Sequence, residues 1–372
     1  MNLLLLFSDI FKGLSTFYWG NAVMITVGLV LVALAVIKEY EPVLLLPIGF
    51  GCIIANLGMS NETGIMKVIY DAGIKTELFP LLIFIGVGAM IDFRPLLAMP
   101  QMVILGAAGQ FGIYATLILA TLLGFPLNQA ASIGVIGAID GPTAIFVTTK
   151  LAPEMLGPIA VAAYSYMSLI PIIQPPIMRL MTTRKERLIR MEYSARPVSK
   201  RAVILFPIIV TICISLLAPD AAPLIATLML GNLLRESGVV DRLNKSAQNE
   251  IINVSTLFLG LAIGSTMTAQ SFMKVQTLMV LGLGLLAFVI DTVAGLSFGK
   301  LMSAVSGGKI NPLIGACGIS AFPMAGRLSA QMAKEEDYDN FILMHAMGAN
   351  TAGQLGSVVA GGLLLALVSG ML

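Results

Sequence analysis

The sequence predicts an all-α, polytopic membrane protein: about ten transmembrane helices in two inverted repeats, with broken or re-entrant helices. Three observations carry that prediction. Of the 372 residues, 57% are hydrophobic and only 11% charged, whereas a soluble domain carries roughly 25% charge. A globular chain of this size cannot hide so much apolar surface behind so few charges, and intrinsic disorder is excluded for the same reason. Many apolar stretches approach the roughly 17–25 residues that a spanning helix needs, yet they are cut by 37 Gly and 18 Pro. Finally, two Gly-x-x-x-x-Pro motifs, Gly137 to Pro142 and Gly318 to Pro323, stand 181 residues apart on either side of a basic segment. The same offset carries Ala22, where the first long span starts, to Val203, where the first span after that segment starts. An odd number of crossings in each half would invert the repeats, the architecture of alternating-access transporters.

Taken in chain order, residues 1–20 are expected as an interfacial amphipathic helix. Asp9 and Lys12 interrupt the apolar start, and no basic region precedes it as in a secretory signal. Residues 21–178 make the first membrane repeat, with spans at 22–37, 43–58, 78–91, 102–124, 128–148 and 155–177. The segment 179–201 holds eight basic residues against Glu186 and Glu192, which places it in the cytoplasm. It either only sets topology or also offers a landing site for an acidic partner or lipid headgroups. Residues 202–372 make the second repeat, with spans at 202–218, 222–234, 251–269, 275–302, 311–326 and 341–371. Upstream of each Gly-x-x-x-x-Pro lies a Gly-rich helix ending in methionine, Met90 in one half and Met267 in the other.

Several function classes fall away. A net charge of +2 gives no electrostatic footprint for nucleic acid. No GxxxxGK[ST] phosphate loop is present, so ATP is not the fuel. Gly86-Val-Gly88 and Gly282-Leu-Gly284 lie inside apolar runs and read as close-packing positions, not dinucleotide loops. Lys67 and Lys274, each after a Met, lack the hairpin context of a biotin-attachment lysine, so any such cofactor must arrive on another protein. Cys52, Cys213 and Cys317 are dispersed in apolar runs and read as small hydrophobes. A single histidine, His345, excludes multi-His metal constellations and reads as a helix-packing partner.

Asp140 is the first residue to carry chemistry. It sits in an apolar span between Ile139 and Gly141-Pro142. A carboxylate there must be paired, protonated or bound to a cation. Pro142 frees a carbonyl one turn back, and Gly137 and Gly141 let the helix unwind. A carboxylate beside loose carbonyl oxygens is what a sodium site needs; the alternative is a salt bridge to Arg327. The second broken segment, from Asn311 to Arg327, offers Asn311 and Ser320 as neutral oxygen ligands. Arg327 either pairs with a carboxylate or anionic substrate at membrane depth, or snorkels to the interface. In the last span Asn350 and Gln354 share a helix face, with Thr351 and Ser357 nearby; Asn350 serves as a ligand or bonds a neighbouring helix. Tyr164 and Tyr166 are interfacial anchors or, deeper in the bundle, proton relays. Asp291 is a second buried acid without a specific role. From these residues alone the chain reads as a cation-coupled membrane transporter with Asp140 as coupling ligand.

Five motifs go further: GVGAMIDFRP from Gly86, GAIDGPTAIF from Gly137, the stretch from Tyr164 through Gln174-Pro-Pro, NPLIGACGISAFPMAGR from Asn311, and HAMGANTAGQLGSV from His345. Together they resemble the β subunit of the sodium-pumping, biotin-dependent decarboxylases acting on oxaloacetate, methylmalonyl-CoA or glutaconyl-CoA. The resemblance runs from about residue 20 to the C-terminus. It implies a soluble α carboxyltransferase subunit that loads biotin on a carrier protein, and a β subunit that decarboxylates carboxybiotin, exports Na+ and consumes a proton. It further implies a small γ or δ membrane subunit, a homo-oligomer such as a trimer, and residence in a bacterial cytoplasmic (inner) membrane. Position by position, Asp140 matches the sodium-binding acid; Asn311, Gly315, Ser320 and Arg327 match one functional segment; Tyr166 and Asn350 match two further functional positions. Gly315 is singled out by the resemblance alone. The sodium ligands are then Asp140, Asn311, Ser320 and Asn350. Arg327 and Ser320 face carboxybiotin, and Tyr166 relays the proton. The chain lacks a longer N-terminal part found in the oxaloacetate type, which favours an acyl-CoA decarboxylase. The competing class is a sodium-coupled secondary transporter of an organic anion, which needs no biotin protein.

Overall fold

The computed structural model describes residues 17–39, 42–59, 64–192 and 198–371. Among the described residues it is helical, without strands. Thirteen helices organise it: α1 (Trp19–Ile37), α2 (Pro42–Ile54), α3 (Leu78–Met90), α4 (Met102–Leu122), α5 (Leu127–Gly134), α6 (Gly141–Leu151), α7 (Leu156–Met181), α8 (Lys200–Leu217), α9 (Ala222–Ser237), α10 (Ile252–Thr266), α11 (Val275–Val305), α12 (Met324–Glu336) and α13 (Leu343–Ser369). The interfacial helix expected over 1–20 lies outside the described residues up to position 16, and α1 already begins at Trp19.

Five of these, α1, α4, α8, α11 and α13, are long and apolar enough to cross a membrane. Two bent pairs raise the number to seven: Ile65–Gly73 with α3, bent by 59°, and the two parts of α7, bent by 62°. The second bend lies one turn before Pro171, whose ring and missing N–H break the helical ladder there. The chain is thus a multi-pass helical membrane protein. Of its most apolar windows, that of α13 is 67% buried and that of α8 only 11%, so α13 runs through the centre and α8 along the rim.

Element order in the second half repeats the first. The series α1, α2, α3, α4 is followed by α5, a break and α6, then α7. The series α8, α9, α10, α11 is followed by a 3-10 helix at Pro312–Gly318, a break and α12, then α13. Contacts cross between the halves in matching fashion: α2 packs on α10 and α3 on α9, while α7 packs on α11 and α13 on the start of α4. Glycines make these approaches possible. A Cβ at Gly88 would lie 1.9 Å from the Leu228 carbonyl oxygen, and one at Gly231 would lie 2.0 Å from that of Ile85.

The basic segment is partly helical. α7 runs on through Arg179 to Met181, and Thr183 and Glu186 form a capping box on the short helix Arg184–Arg187. This region is tied to the end of α12: Arg179 pairs with Glu335 at 3.1 Å, Arg187 with Glu336 at 2.7 Å, and Arg190 with Asp337 at 2.6 Å. Hydrogen bonds from Arg187 and Arg190 hold the Glu336 and Asp337 carboxyls below their usual range.

Candidate functional site

Two broken hairpins meet beside α13. In the first, α5 tightens into a 3-10 turn at Val135–Ala138, Ile139 takes a left-handed conformation (φ 52°), and Asp140 is extended before α6 starts. A β-branched residue rarely adopts positive φ; buried Ile139 is held among Ile170, Phe288 and Ile319. Pro142 occupies the first turn of α6, where its missing N–H is harmless. The ends of this hairpin are closed by Asn128 Nδ2 donating to the Leu151 carbonyl at 2.9 Å. In the second hairpin, the ends are held by Asn311 and Asn340, whose amides both donate to the carbonyls of Arg187 and Ile189 at 2.9–3.2 Å.

The two hairpins enter from opposite ends of α13. Asn340 lies just before that helix begins, whereas a Cβ at Gly361, far along it, would touch Thr143 and Val147 of α6. Between these points the tips join. The Ser320 amide donates to the Ala138 carbonyl at 3.3 Å, and the Ser320 hydroxyl donates to the Gly353 carbonyl at 3.2 Å. Asn350 Nδ2 donates to the carbonyls of Cys317 and Ile319 at 3.2 and 2.8 Å.

Asp140 lies at this junction, only 5% exposed. Its Oδ2 accepts from Thr143 Oγ1 at 2.5 Å, Ser357 Oγ at 2.9 Å and Gln354 Nε2 at 3.1 Å. All three donors are neutral, and among the described residues no Lys, Arg or His forms an ion pair with Asp140. A cavity of about 360 Å³ opens onto the site, lined by Asp140, Ser320, Gln354, Tyr164, Asn253 and Thr256 with apolar neighbours. Buried Asn350 presents an Oδ1 that has no partner. The cavity thus brings one acid together with the Ser320 hydroxyl, the Gln354 amide and an unwound stretch of backbone, all hard-oxygen groups carrying a single negative charge. Among the described residues no group of three His, Cys, Asp or Glu side chains is placed to hold a metal ion.

The residues expected from sequence are distributed unevenly. Asp140 and Ser320 share the cavity, with Asn350 one turn from Gln354 on α13. Asn311 is at the base of the second hairpin, where its Oδ1 also caps the 3-10 helix through Leu313 N at 3.0 Å. Tyr166 donates its hydroxyl to the Leu281 carbonyl and packs against Gly284. Tyr164 is the tyrosine that lines the acid's cavity; its ring fills the space a Cβ at Gly141 would need. Arg327 is exposed on the arm of the second hairpin, in a separate cleft of about 410 Å³ with Lys334, and does not pair with Asp140. Gly315 abuts α11: a Cβ there would be 2.2 Å from the Gly295 carbonyl oxygen. Thr143 was not among the residues expected from sequence; its place three residues after Asp140 at the start of α6, within side-chain reach, is the signal that could have found it.

Fold and site together define a polytopic helical membrane protein whose buried carboxylate, without an ion-pair partner among the described residues, sits where two broken segments meet. Residues 20–368 match the family described as the Na+-transporting oxaloacetate decarboxylase beta subunit, and the chain belongs to that family. It is 54% identical to the methylmalonyl-CoA decarboxylase subunit beta of Veillonella parvula over 359 residues, 96% of each chain. It is 52% identical to the glutaconyl-CoA decarboxylase subunit beta of Acidaminococcus fermentans over 362 residues, again 96% of each. The oxaloacetate decarboxylase beta chain of Klebsiella pneumoniae is 45% identical over 416 aligned positions, 95% of this chain and 96% of that one.

Proposed function

We propose that this chain is the membrane subunit of a sodium-pumping decarboxylase, which decarboxylates carboxybiotin on a carrier protein and couples that step to Na+ export. The observation that carries the reading is Asp140, held by three neutral donors with no cationic side chain paired to it among the described residues. Sodium would be held at the hairpin junction by Asp140 with oxygens of Ser320 and Asn350, and Asn311 would support the second hairpin from its base. Carboxybiotin supplies a carboxyl group that leaves as CO2 while the ring nitrogen gains a proton. Arg327 would orient its carboxylate or ureido oxygen from the hairpin arm, since a planar two-pronged donor suits either; in this structure its guanidinium has no carboxylate partner among the described residues. Tyr166 would hand on the proton.

The topology we infer has five crossings in each half: α1, α2, α3, α4 and α7, then α8, α9, α10, α11 and α13. That makes ten crossings and two re-entrant hairpins. An odd number per half inverts the repeats, which agrees with hairpins entering from opposite ends. The basic segment would then face the cytoplasm of a bacterial inner membrane, where the α subunit and carrier dock. Partners would include a small γ or δ membrane subunit, and a trimer is the expected assembly. An acyl-CoA substrate is favoured, because the alignment with the oxaloacetate chain needs 416 positions for a 372-residue protein, whereas that with the methylmalonyl-CoA subunit needs 359. Purification from the native membrane in mild detergent, followed by streptavidin probing, tests the reading. A co-purifying biotinylated protein is expected; a reproducibly biotin-free complex of intact protein would overturn it.

A further inference from the structure

Asp291, in the middle of α11, is fully buried. Its Oδ1 accepts the backbone N–H of Gly112, and its Oδ2 has no partner. Among the described residues no cationic side chain pairs with it. A Cβ at Gly112 would come within 2.5 Å of Oδ2, and one at Gly137 would come within 3.2 Å of the same oxygen and 2.9 Å of the Gly112 carbonyl carbon. The carboxyl is therefore wedged between α4 and the first hairpin, three residues before Asp140. The backbones at Gly112 and Gly137 thus close in on the buried carboxyl.

The repeat offset shows what stands at the equivalent place in the other half. Position 110 maps on 291, and 137 maps on 318, both at 181 residues. Gln110 Nε2 donates to the Gly318 carbonyl at 3.1 Å and to those of Gly353 and Gly106 at 3.2 and 3.1 Å. The second hairpin is thus held by a permanent N–H donor. The first hairpin meets, at the matching point, a group that can donate only when protonated. An ionised, unpaired carboxylate at this depth is costly.

We propose that Asp291 is a proton-binding positioning residue: as the neutral acid it seats the first hairpin against α11, and losing its proton unseats that hairpin and with it Asp140. It touches no substrate and acts through the backbone at Gly137. Few other titratable groups face it. α5 and the 3-10 turn at Val135–Ala138 carry none. On α4 only Tyr114 titrates, and it points outward at 38% exposure. On the 3-10 helix Pro312–Gly318, Cys317 is engaged with Ser329 Oγ at 3.0 Å. On α7, Tyr166 lies two turns away against Gly284, Tyr164 lines the Asp140 cavity, and Arg179 pairs with Glu335 at the far end. Lys300, near the end of α11, pairs with Glu186.

The test uses the intact decarboxylase complex carrying Asp291→Asn or Asp291→Leu. The Asn amide donates as the acid would, so turnover at neutral pH should stay within about threefold of wild type. Its alkaline limb should move up by about one pH unit or more, because Asn cannot lose the proton that wild type loses. Leu cannot donate, and turnover should fall at least about tenfold. Superimposable alkaline limbs, an inactive Asn variant of intact fold, or a fully active Leu variant would each overturn the proposal. Infrared spectra in the Asp140→Asn background provide a readout independent of sodium binding at Asp140. Alkalinisation should convert one carboxylic-acid carbonyl band to a carboxylate band, and Asp291→Asn should remove that conversion. Absence of a titrating acid band would overturn the proposal even if the reading of Asp140 stands.

Discussion

Replacing Asp140 by Asn removes one charge from the site and little else. Thr143, Ser357 and Gln354 all donate to Oδ2, at 2.5, 2.9 and 3.1 Å. An Asn turned with its carbonyl oxygen at that point accepts all three, so the hairpin tip keeps its bonds. What disappears is the attraction for a cation. At a contact of about 2.4 Å and an effective dielectric of about 20, that attraction is roughly 7 kcal/mol. Desolvation cancels most of it. If about a third survives, the variant loses about 2 kcal/mol, or roughly 30-fold in sodium affinity. Thermal unfolding of the purified chain in NaCl against KCl reads this directly, since a ligand at a hundredfold excess over Kd stabilises by about 2.7 kcal/mol. Wild type should show a sodium-specific rise in Tm, and Asp140→Asn should need roughly 30-fold more sodium for the same rise. A sodium curve indistinguishable from wild type would refute the carboxylate as ligand.

Other perturbations separate packing from chemistry. Gly231→Ala places a methyl 2.0 Å from the Ile85 carbonyl oxygen and should destabilise by about 1–3 kcal/mol. Gly282→Ala meets nothing within 4 Å and should be neutral or stabilising by up to about 1 kcal/mol; thermal melts of the two variants check the contrast. Arg327→Lys should abolish carboxybiotin decarboxylation while leaving sodium-specific stabilisation intact, because a point charge does not replace the guanidinium fork; near-normal turnover would contradict a bidentate role. Acid should loosen the basic segment. The Glu336 and Asp337 carboxyls are held low by Arg187 and Arg190, so their contribution is present above the ordinary carboxylate range, about pH 4, and is lost as pH falls through their depressed values. The protection factors of residues 184–190, taken against the intrinsic exchange rate at each pH, should fall on acidification; protection factors unchanged down to about pH 2 would contradict this tether.

Asp140 was legible in the sequence as a candidate, because an acid just ahead of Gly141-Pro142 in an apolar run has few structural explanations. Gln354 and Ser357 follow from helix spacing relative to Asn350. Other features were not legible for identifiable reasons. The span expected over 311–326 is instead one arm and the tip of a returning hairpin, so Arg327 emerges on an exposed arm and not at depth. Tyr164 and Tyr166 are two residues apart on a helix and point to different faces; only the three-dimensional packing places Tyr164 at the acid. The clamp of Asn311 and Asn340 uses carbonyls more than 120 residues away, and nothing local announces such a partnership. The pairing of Gln110 with Asp291 was available from the same 181-residue offset that linked the two Gly-x-x-x-x-Pro motifs, but it gained meaning only when both were found against the opposite hairpins.

The coupling of carboxybiotin decarboxylation to sodium movement through Asp140 is tested most directly by radioactive sodium flux. The purified complex is reconstituted in proteoliposomes and supplied with methylmalonyl-CoA or glutaconyl-CoA. Substrate-dependent sodium uptake that is blocked by avidin and absent with Asp140→Asn is the expected result. Sodium uptake insensitive to avidin, or decarboxylation with undiminished sodium uptake in the Asp140→Asn complex, would contradict it.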